Sequence, residues 1–462
     1  MKRVVLSIVV GMYGCFSFGL FANSSERGFE HLDVLVTDWM MKANVPGLAL
    51  ARIENGAVAW FRVYGEASPG RPVTTKTPFN VASLTKPVFA VLTLHLVAQS
   101  KFELDAPLAK FWIDPDLVDD PRVQMLTTRM ALSHQTGLPN WRGRNKLAFQ
   151  FDPGKGTDYS GEGYEFLRHA IEAATGKALP ELGISLKKAA GMTHASFGWT
   201  PGLANQLAVG YDETGKPIPN EYLKNRGPAA ASSLFCTIED YGHFAAWVSR
   251  GADLPESLFE MMKRDQAMHD HAVDHFGLGW RVVNIGDATV LAHDGREDGV
   301  RTQVYVVPED QSGFVFLTNS SNGELMTRPL TQVVMPRGSG LLDAMDANAW
   351  EFASSIPPQV QPRMLGFIAR SPAFVSRLLH GAEVHLIRSH FPGKKERSGI
   401  DDAIDAIALA RLDGKLAPEP IQAFLESMGR SVDGGFQLAS ELTREDAIEW
   451  REKLLSLAKG SK

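Results

Sequence analysis

Cysteine is nearly absent from this chain. Its 462 residues include two, Cys15 and Cys236, which excludes a disulfide framework of the kind that staples small secreted folds. A basic excess is missing too. Lys and Arg number 47 against 53 Asp and Glu, for a net charge of -6, so no surplus exists to neutralise a phosphate backbone and a nucleic-acid partner is excluded. Beyond the N-terminus no second membrane span is expected, since the apolar stretch Pro87 to Ala98 is too short to cross a bilayer. Nucleotide signatures are lacking as well: Gly154-Lys155-Gly156-Thr157 has neither the first glycine of a phosphate loop nor a strand before it. What remains is an ordinary globular composition, 44% hydrophobic and 22% charged, long enough for one large core and an appendage.

The N-terminus reads as an export signal over residues 1–22. Lys2 and Arg3 precede an apolar stretch from Val4 to Phe21, and Ala22 offers a small residue for cleavage. The expected location is periplasmic or extracellular. A retained membrane anchor is the alternative, although Ser7, Gly11, Gly14, Ser17 and Gly19 interrupt the run. Once the signal is removed, Cys236 has no partner within the chain.

Strand signals sit at both ends of a domain expected over 23–340. Gly47 to Ile53 and Ala57 to Tyr64 flank the turn Asn55-Gly56. Leu278 to Ile285, Thr289 to Ala292, Arg301 to Val307 and Phe314 to Leu317 are the late runs. Between them the chain reads as helix and loop. The resulting expectation is an α+β fold, one antiparallel sheet built from both ends with the helical middle packed against it. Residues 341–462 read as a helical C-terminal appendage, with periodicity over 373–390, 400–412, 420–428 and 443–459. It carries no chemical motif. A structural or docking role is the plain reading, and an amphipathic membrane-surface segment with Arg363, Arg370 and Arg377 is the other. Membrane contact is thus expected only through the N-terminus or this tail.

One segment carries chemistry. Phe79 to Pro87 opens the most apolar helix of the chain, in which Leu84, Val88, Phe89, Val91, Leu92, Leu94, Leu96 and Val97 cover nearly every face. Pro87 is tolerated only in a first turn, so the helix starts at Ala82 or Ser83. Ser83 then sits where free N–H groups point, a natural place for a developing oxyanion. Lys86 lies on the same face. Desolvation at the mouth of a buried helix depresses a lysine pKa, which makes Lys86 a candidate base for the Ser83 hydroxyl. The same spacing at Ser185–Lys188 and Ser456–Lys459 shows that context, not spacing, distinguishes this copy.

Ser83-Leu84-Thr85-Lys86 resembles the Ser-x-x-Lys motif of serine β-lactamases and penicillin-binding proteins. The flanking text is most similar to the class C β-lactamase, D-alanyl-D-alanine carboxypeptidase and esterase branch, through Leu104-Asp105-Ala106-Pro107, Leu132 to Pro139, Thr237 to Asp240 and Phe276 to Trp280. The resemblance spans about residues 30–330. It implies a β-lactamase/transpeptidase-like fold and an acyl-enzyme on Ser83, with Lys86 and Tyr159 as activating partners. It also implies His293-Asp294-Gly295 as the triplet facing the nucleophile, His293 lining the cleft, and the backbone N–H of Arg296 joining that of Ser83 in an oxyanion hole. Lys86 is expected to favour the Tyr159 phenolate. Two departures stand out: Gly161 replaces an asparagine, and Asp294 replaces a threonine and should repel a substrate carboxylate unless Arg296 or Arg301 offsets it. Trp141 falls at a cleft-facing position of the family, or is a core or surface tryptophan.

The resulting expectation is a serine hydrolase acting on a small ester, amide or peptide. Esterase or peptidase-like turnover is favoured over efficient β-lactam hydrolysis, and no cofactor or metal is required. A catalytically silent protein that holds cell-wall peptide or a partner on the same fold is the alternative. His269, His271 and His275 cluster with Asp270 and Asp274, but read as a polar loop and not as a zinc site. His134 reads as a hydrogen-bonded structural histidine.

Overall fold

The computed structural model describes residues 31–344 except 42, 213, 269–274 and 343, together with the backbone of Gly429–Val432 and Gly435–Leu438. The expected signal segment, the tail helices and the arginine-bearing amphipathic stretch lie outside the described residues.

Runs of β-branched, aromatic and other apolar residues build the main sheet. Its strands are β1 (Gly47–Glu54), β2 (Ala57–Ser68), β3 (Arg71–Pro72), β4 (Arg281–Ile285), β5 (Ala288–Glu297), β6 (Val300–Val307) and β7 (Ser312–Thr318). They form a seven-stranded sheet in the order β3-β2-β1-β7-β6-β5-β4, with every neighbouring pair antiparallel. The two ends of the domain meet at the β1–β7 pairing, where Leu50 lies opposite Phe316. The first hairpin closes through Asn55 and Gly56, whose φ angles of 51° and 71° supply the left-handed pair that a tight hairpin turn needs.

Both faces of the central strands are apolar. In β6, Val304 and Val306 join one core and Tyr305 and Val307 another; in β7, Val315 and Leu317 part from Phe314 and Phe316 in the same way. The first core contains α1 (Thr85–Ala98), α2 (Gly161–Thr175) and α3 (Ile238–Ser249). The second is covered by the helix over residues 31–41 and by α4 (Thr327–Val334), through Leu32, Val36, Met40, Leu330 and Val334. The α+β reading holds, but with three layers where one helical layer was expected. A strand with two apolar faces must be covered on both sides. The second core also includes Leu341, fully buried, with Ala344 packed against it, so packing runs four residues past the expected boundary at 340. Farther on, Gly429–Val432 pairs with Gly435–Leu438 as an antiparallel hairpin, an element not anticipated in the helical reading of the tail.

Candidate active site

The turn before α1 is tied down from every side. Residues Ala82–Leu84 form a single 3-10 turn that runs into α1. The Asn80 side chain accepts from Ala82 N at 3.0 Å and donates to Glu297 Oε2 at 2.8 Å. Thr302 Oγ1 donates to Val81 O at 3.0 Å, binding the turn to the sheet. Thr85 Oγ1 donates to Ala82 O at 2.6 Å and accepts from Leu234 N at 2.9 Å. So held, Ala82 adopts φ +48°, a left-handed conformation costly for a residue with a Cβ. Ser83 follows it and is half-buried while its neighbours are buried, leaving its hydroxyl reachable. As the composition of α1 requires, Thr85 through Leu94 are all buried, and Pro87 falls in the first turn.

Lys86 is fully buried. Its Nζ lies 3.3 Å from Ser83 Oγ and donates to Ala231 O at 3.0 Å. Burial lowers its pKa to about 7, against the opposing pull of Glu165, Asp294 and Glu297. The expected desolvation is thus present. Two contributors went unseen in the sequence: the Ala231 carbonyl, and Glu165 on α2, whose Oε1 accepts from Ala231 N at 2.9 Å. A backbone carbonyl leaves no residue-type signature, and a lone helical glutamate is indistinguishable from any surface charge.

Tyr159 reaches the same hydroxyl through a side-chain hydrogen bond to Ser83, and Lys86 Nζ stands 4.6 Å from its ring centre. Its phenol is pushed well above the ordinary tyrosine range, with burial the largest cause. The expected phenolate is therefore corrected to a neutral phenol. Desolvation penalises the anion, and an amine that is only partly charged at neutral pH offers it limited support.

Strand β5 forms the opposite wall. A Cβ at Gly295 would meet Thr302 Oγ1 at 2.2 Å, Val81 O at 2.4 Å and Ser83 N at 3.3 Å, so only glycine lets the strand approach the Ser83 turn this closely. His293, on the same side of the strand, is 5% exposed with its ring centre 6.0 Å from that of Tyr159. Burial lowers its pKa to about 4. Alternation turns Asp294 and Arg296 the other way. They pair at 2.9 Å, and Arg296 also meets Glu324 at 3.0 Å. The offset of Asp294 is thus met by Arg296, with the pair on the strand face opposite Gly295.

Trp141 is 47% exposed and stands beside Gly161, where a Cβ would lie 2.9 Å from two indole carbons and 2.7 Å from Asn140 O. The glycine departure therefore makes room for the tryptophan. His134 is structural as expected: buried, accepting from Ser160 N at 3.0 Å and packed 4.3 Å from the Tyr159 ring. His275 pairs with Asp265 at 2.6 Å, while the other members of the histidine cluster fall outside the described residues. Among the described residues, no group of acidic, histidine or cysteine side chains is arranged to hold a metal ion.

The sequence model of the family described as Beta-lactamase matches residues 32–333. The human protein named Putative beta-lactamase-like 1 is 25% identical over 63% of this chain and 65% of its own length. Esterase EstB of Burkholderia gladioli is 31% identical over 24% of this chain and 29% of its own. The chain therefore matches less than two thirds of either relative's length. The structure of an octameric penicillin-binding protein homologue from Pyrococcus abyssi superposes with a TM-score of 0.55 at 20% identity, covering 64% of this chain and 74% of that one, which supports the fold. The family match spans well over half of the sequence, and with the seven-stranded antiparallel sheet and the Ser83–Lys86 turn beneath β5 it shows that this chain belongs to the beta-lactamase family.

Proposed function

We propose that this protein hydrolyses an ester or amide through an acyl-enzyme on Ser83. One observation carries the reading: a reachable serine hydroxyl lies 3.3 Å from a buried amine whose pKa falls to about 7, so about half of the molecules hold an uncharged base in contact with the nucleophile at neutral pH.

Ser83 Oγ bonds to the substrate carbonyl carbon as its proton passes to Lys86 Nζ. The carbonyl oxygen gains negative charge against the backbone N–H groups of Ser83 and Arg296. When the tetrahedral adduct collapses, the bond to the leaving oxygen or nitrogen breaks. That atom takes a proton from the Tyr159 phenol, which is replenished from the Lys86 ammonium. Water then attacks the acyl-enzyme and gives its proton to the same pair, and Ser83 departs with its hydrogen restored. A phenol kept neutral by burial suits this relay, because it holds a proton to give.

Gly161 brings no side-chain amide to the cleft, which favours an ester or peptide-like substrate over efficient β-lactam turnover. The names of the relatives include both an esterase and a penicillin-binding protein, in keeping with acyl transfer. The test is covalent labelling. A fluorescent fluorophosphonate should attach to Ser83, as mapped by peptide mass spectrometry, and Ser83→Ala should lose both the label and turnover of a chromogenic ester. An unlabelled wild-type protein would point instead to a silent binding module.

A further inference from the structure

The His293 side chain makes one hydrogen bond among the described residues, and its chemistry fixes the rest. Its Nδ1 lies 2.8 Å from the carbonyl oxygen of Asp294. A carbonyl oxygen only accepts, so Nδ1 carries the hydrogen. In the neutral ring Nε2 must then be a bare lone pair. That nitrogen is buried and has no hydrogen-bond partner, on a side chain 5% exposed beside Tyr159 and on the Gly295 side of β5. A buried acceptor with no partner is costly in the free protein and is satisfied when a ligand brings a donor.

We infer that His293 Nε2 is a specificity-determining acceptor for a polar hydrogen of the substrate, and that the site takes uncharged esters or amides carrying an N–H or O–H donor in preference to substrates with a free carboxylate. The inference rests on the acyl-enzyme reading and names its substrate class. A neutral imidazole presents a lone pair, which repels a carboxylate and accepts from a carboxamide. Burial, aided by Lys86 and Arg281 and opposed by Asp294, keeps the ring uncharged at neutral pH. The nearest guanidinium on β5, that of Arg296, is engaged by Asp294 and Glu324 on the other side of the strand. At His293 itself the wall therefore offers an acceptor where a carboxylate would need a donor, while Arg281, opposite Ala292 on β4, acts on the ring through its charge.

Three benzoylglycyl thioesters test this, identical except for a leaving group that ends in a carboxamide, a methyl ester or a carboxylate. Wild type is expected to turn over the carboxamide about tenfold faster in kcat/KM than the methyl ester, the effect of one well-placed hydrogen bond, and the carboxylate slowest. His293→Gln keeps an acceptor oxygen and should keep that order. His293→Phe should level the first two, and His293→Lys should bring the carboxylate to the front. A wild-type preference for the carboxylate, or an order unchanged in both His293→Phe and His293→Lys, overturns the inference while leaving Ser83 labelling intact. Loss of wild-type labelling overturns the acyl-enzyme reading itself, and this inference with it. The preference is a ratio within one variant, so a partly folded preparation still reports it.

Discussion

The Lys86 amine and the Ala231 carbonyl oxygen lie 3.0 Å apart in a fully buried setting, and that bond aims the amine at Ser83 Oγ, 3.3 Å away. The same setting gives Lys86 a folded pKa of about 7 against an ordinary 10.5. Attack needs the uncharged amine. In the proposed mechanism kcat/KM for a neutral ester therefore rises with pH up to about 7 and is level above it. A pH profile of wild type checks this. A flat profile between pH 5 and 8 would remove Lys86 from the role of base.

The depressed pKa also has a thermodynamic sign. Between about 7 and 10.5 the unfolded chain binds a proton at this side chain that the folded chain does not, so stability rises with pH through that window and the full penalty persists below it. At about 1.4 kcal/mol per unit the penalty is on the order of 5 kcal/mol. Lys86→Met fills the same space without a charge and gives up two hydrogen bonds of about 1 kcal/mol each. It is expected to lose ester turnover by at least about a hundredfold while gaining about 1 to 3 kcal/mol of stability at pH 7, as read by urea unfolding. A less stable, inactive variant would show that the lysine is held for packing.

Glu165 offers a more selective test. It bonds to Ala231 N at 2.9 Å and raises the Lys86 pKa through its charge, so it acts through the lysine as a positioning residue. Glu165→Gln keeps a hydrogen-bond acceptor and removes the charge. The rising limb of the pH profile should then move to lower pH, with the plateau altered by less than about threefold. A purely structural role would lower the plateau and leave the limb in place.

Much of this was legible in the sequence. Asn55-Gly56 announced the first hairpin, the late β-branched runs announced the other strands, and the all-apolar face of α1 announced a buried helix with Ser83 at its mouth. The rest depended on terms that no local pattern carries. That Val304 and Tyr305 face different cores looks in sequence like a plain apolar run. The state of Tyr159 is decided by burial, which is a property of the packed molecule; reasoning from its proximity to Lys86 alone gave the wrong direction. The partners of Lys86 and the fit of Trp141 against Gly161 join segments distant along the chain and use a main-chain carbonyl and a missing side chain, neither of which has a motif.

That fit predicts a coupling. A Cβ at residue 161 would press on the Trp141 indole at 2.9 Å and on Asn140 O at 2.7 Å; the indole can move, but Asn140 O accepts the Gly161 and Glu162 N–H groups and cannot move without breaking them. Gly161→Ala is expected to cost about 1 to 3 kcal/mol. Trp141→Ala in the same chain should recover only part of it. A double-mutant cycle on thermal unfolding measures the coupling, and strict additivity would show that the two positions do not share space.

The closest approach in the site is that of Gly295 to the nucleophile turn, and it separates geometry from charge. A methyl group there would meet Val81 O at 2.4 Å and Thr302 Oγ1 at 2.2 Å, the two atoms of the hydrogen bond that fastens the turn to β6. To admit it, β5 and the turn must part, which misplaces the Ser83 and Arg296 N–H groups proposed for the oxyanion. Gly295→Ala is therefore expected to cut ester kcat by about a hundredfold or more and to destabilise the fold by about 1 to 3 kcal/mol. Asp294→Ala, one residue away on the opposite face, removes a charge and leaves that approach unchanged, so its effect on kcat should be far smaller. Comparable losses in the two variants would mean that the strand acts through its electrostatics and not through its distance from Ser83.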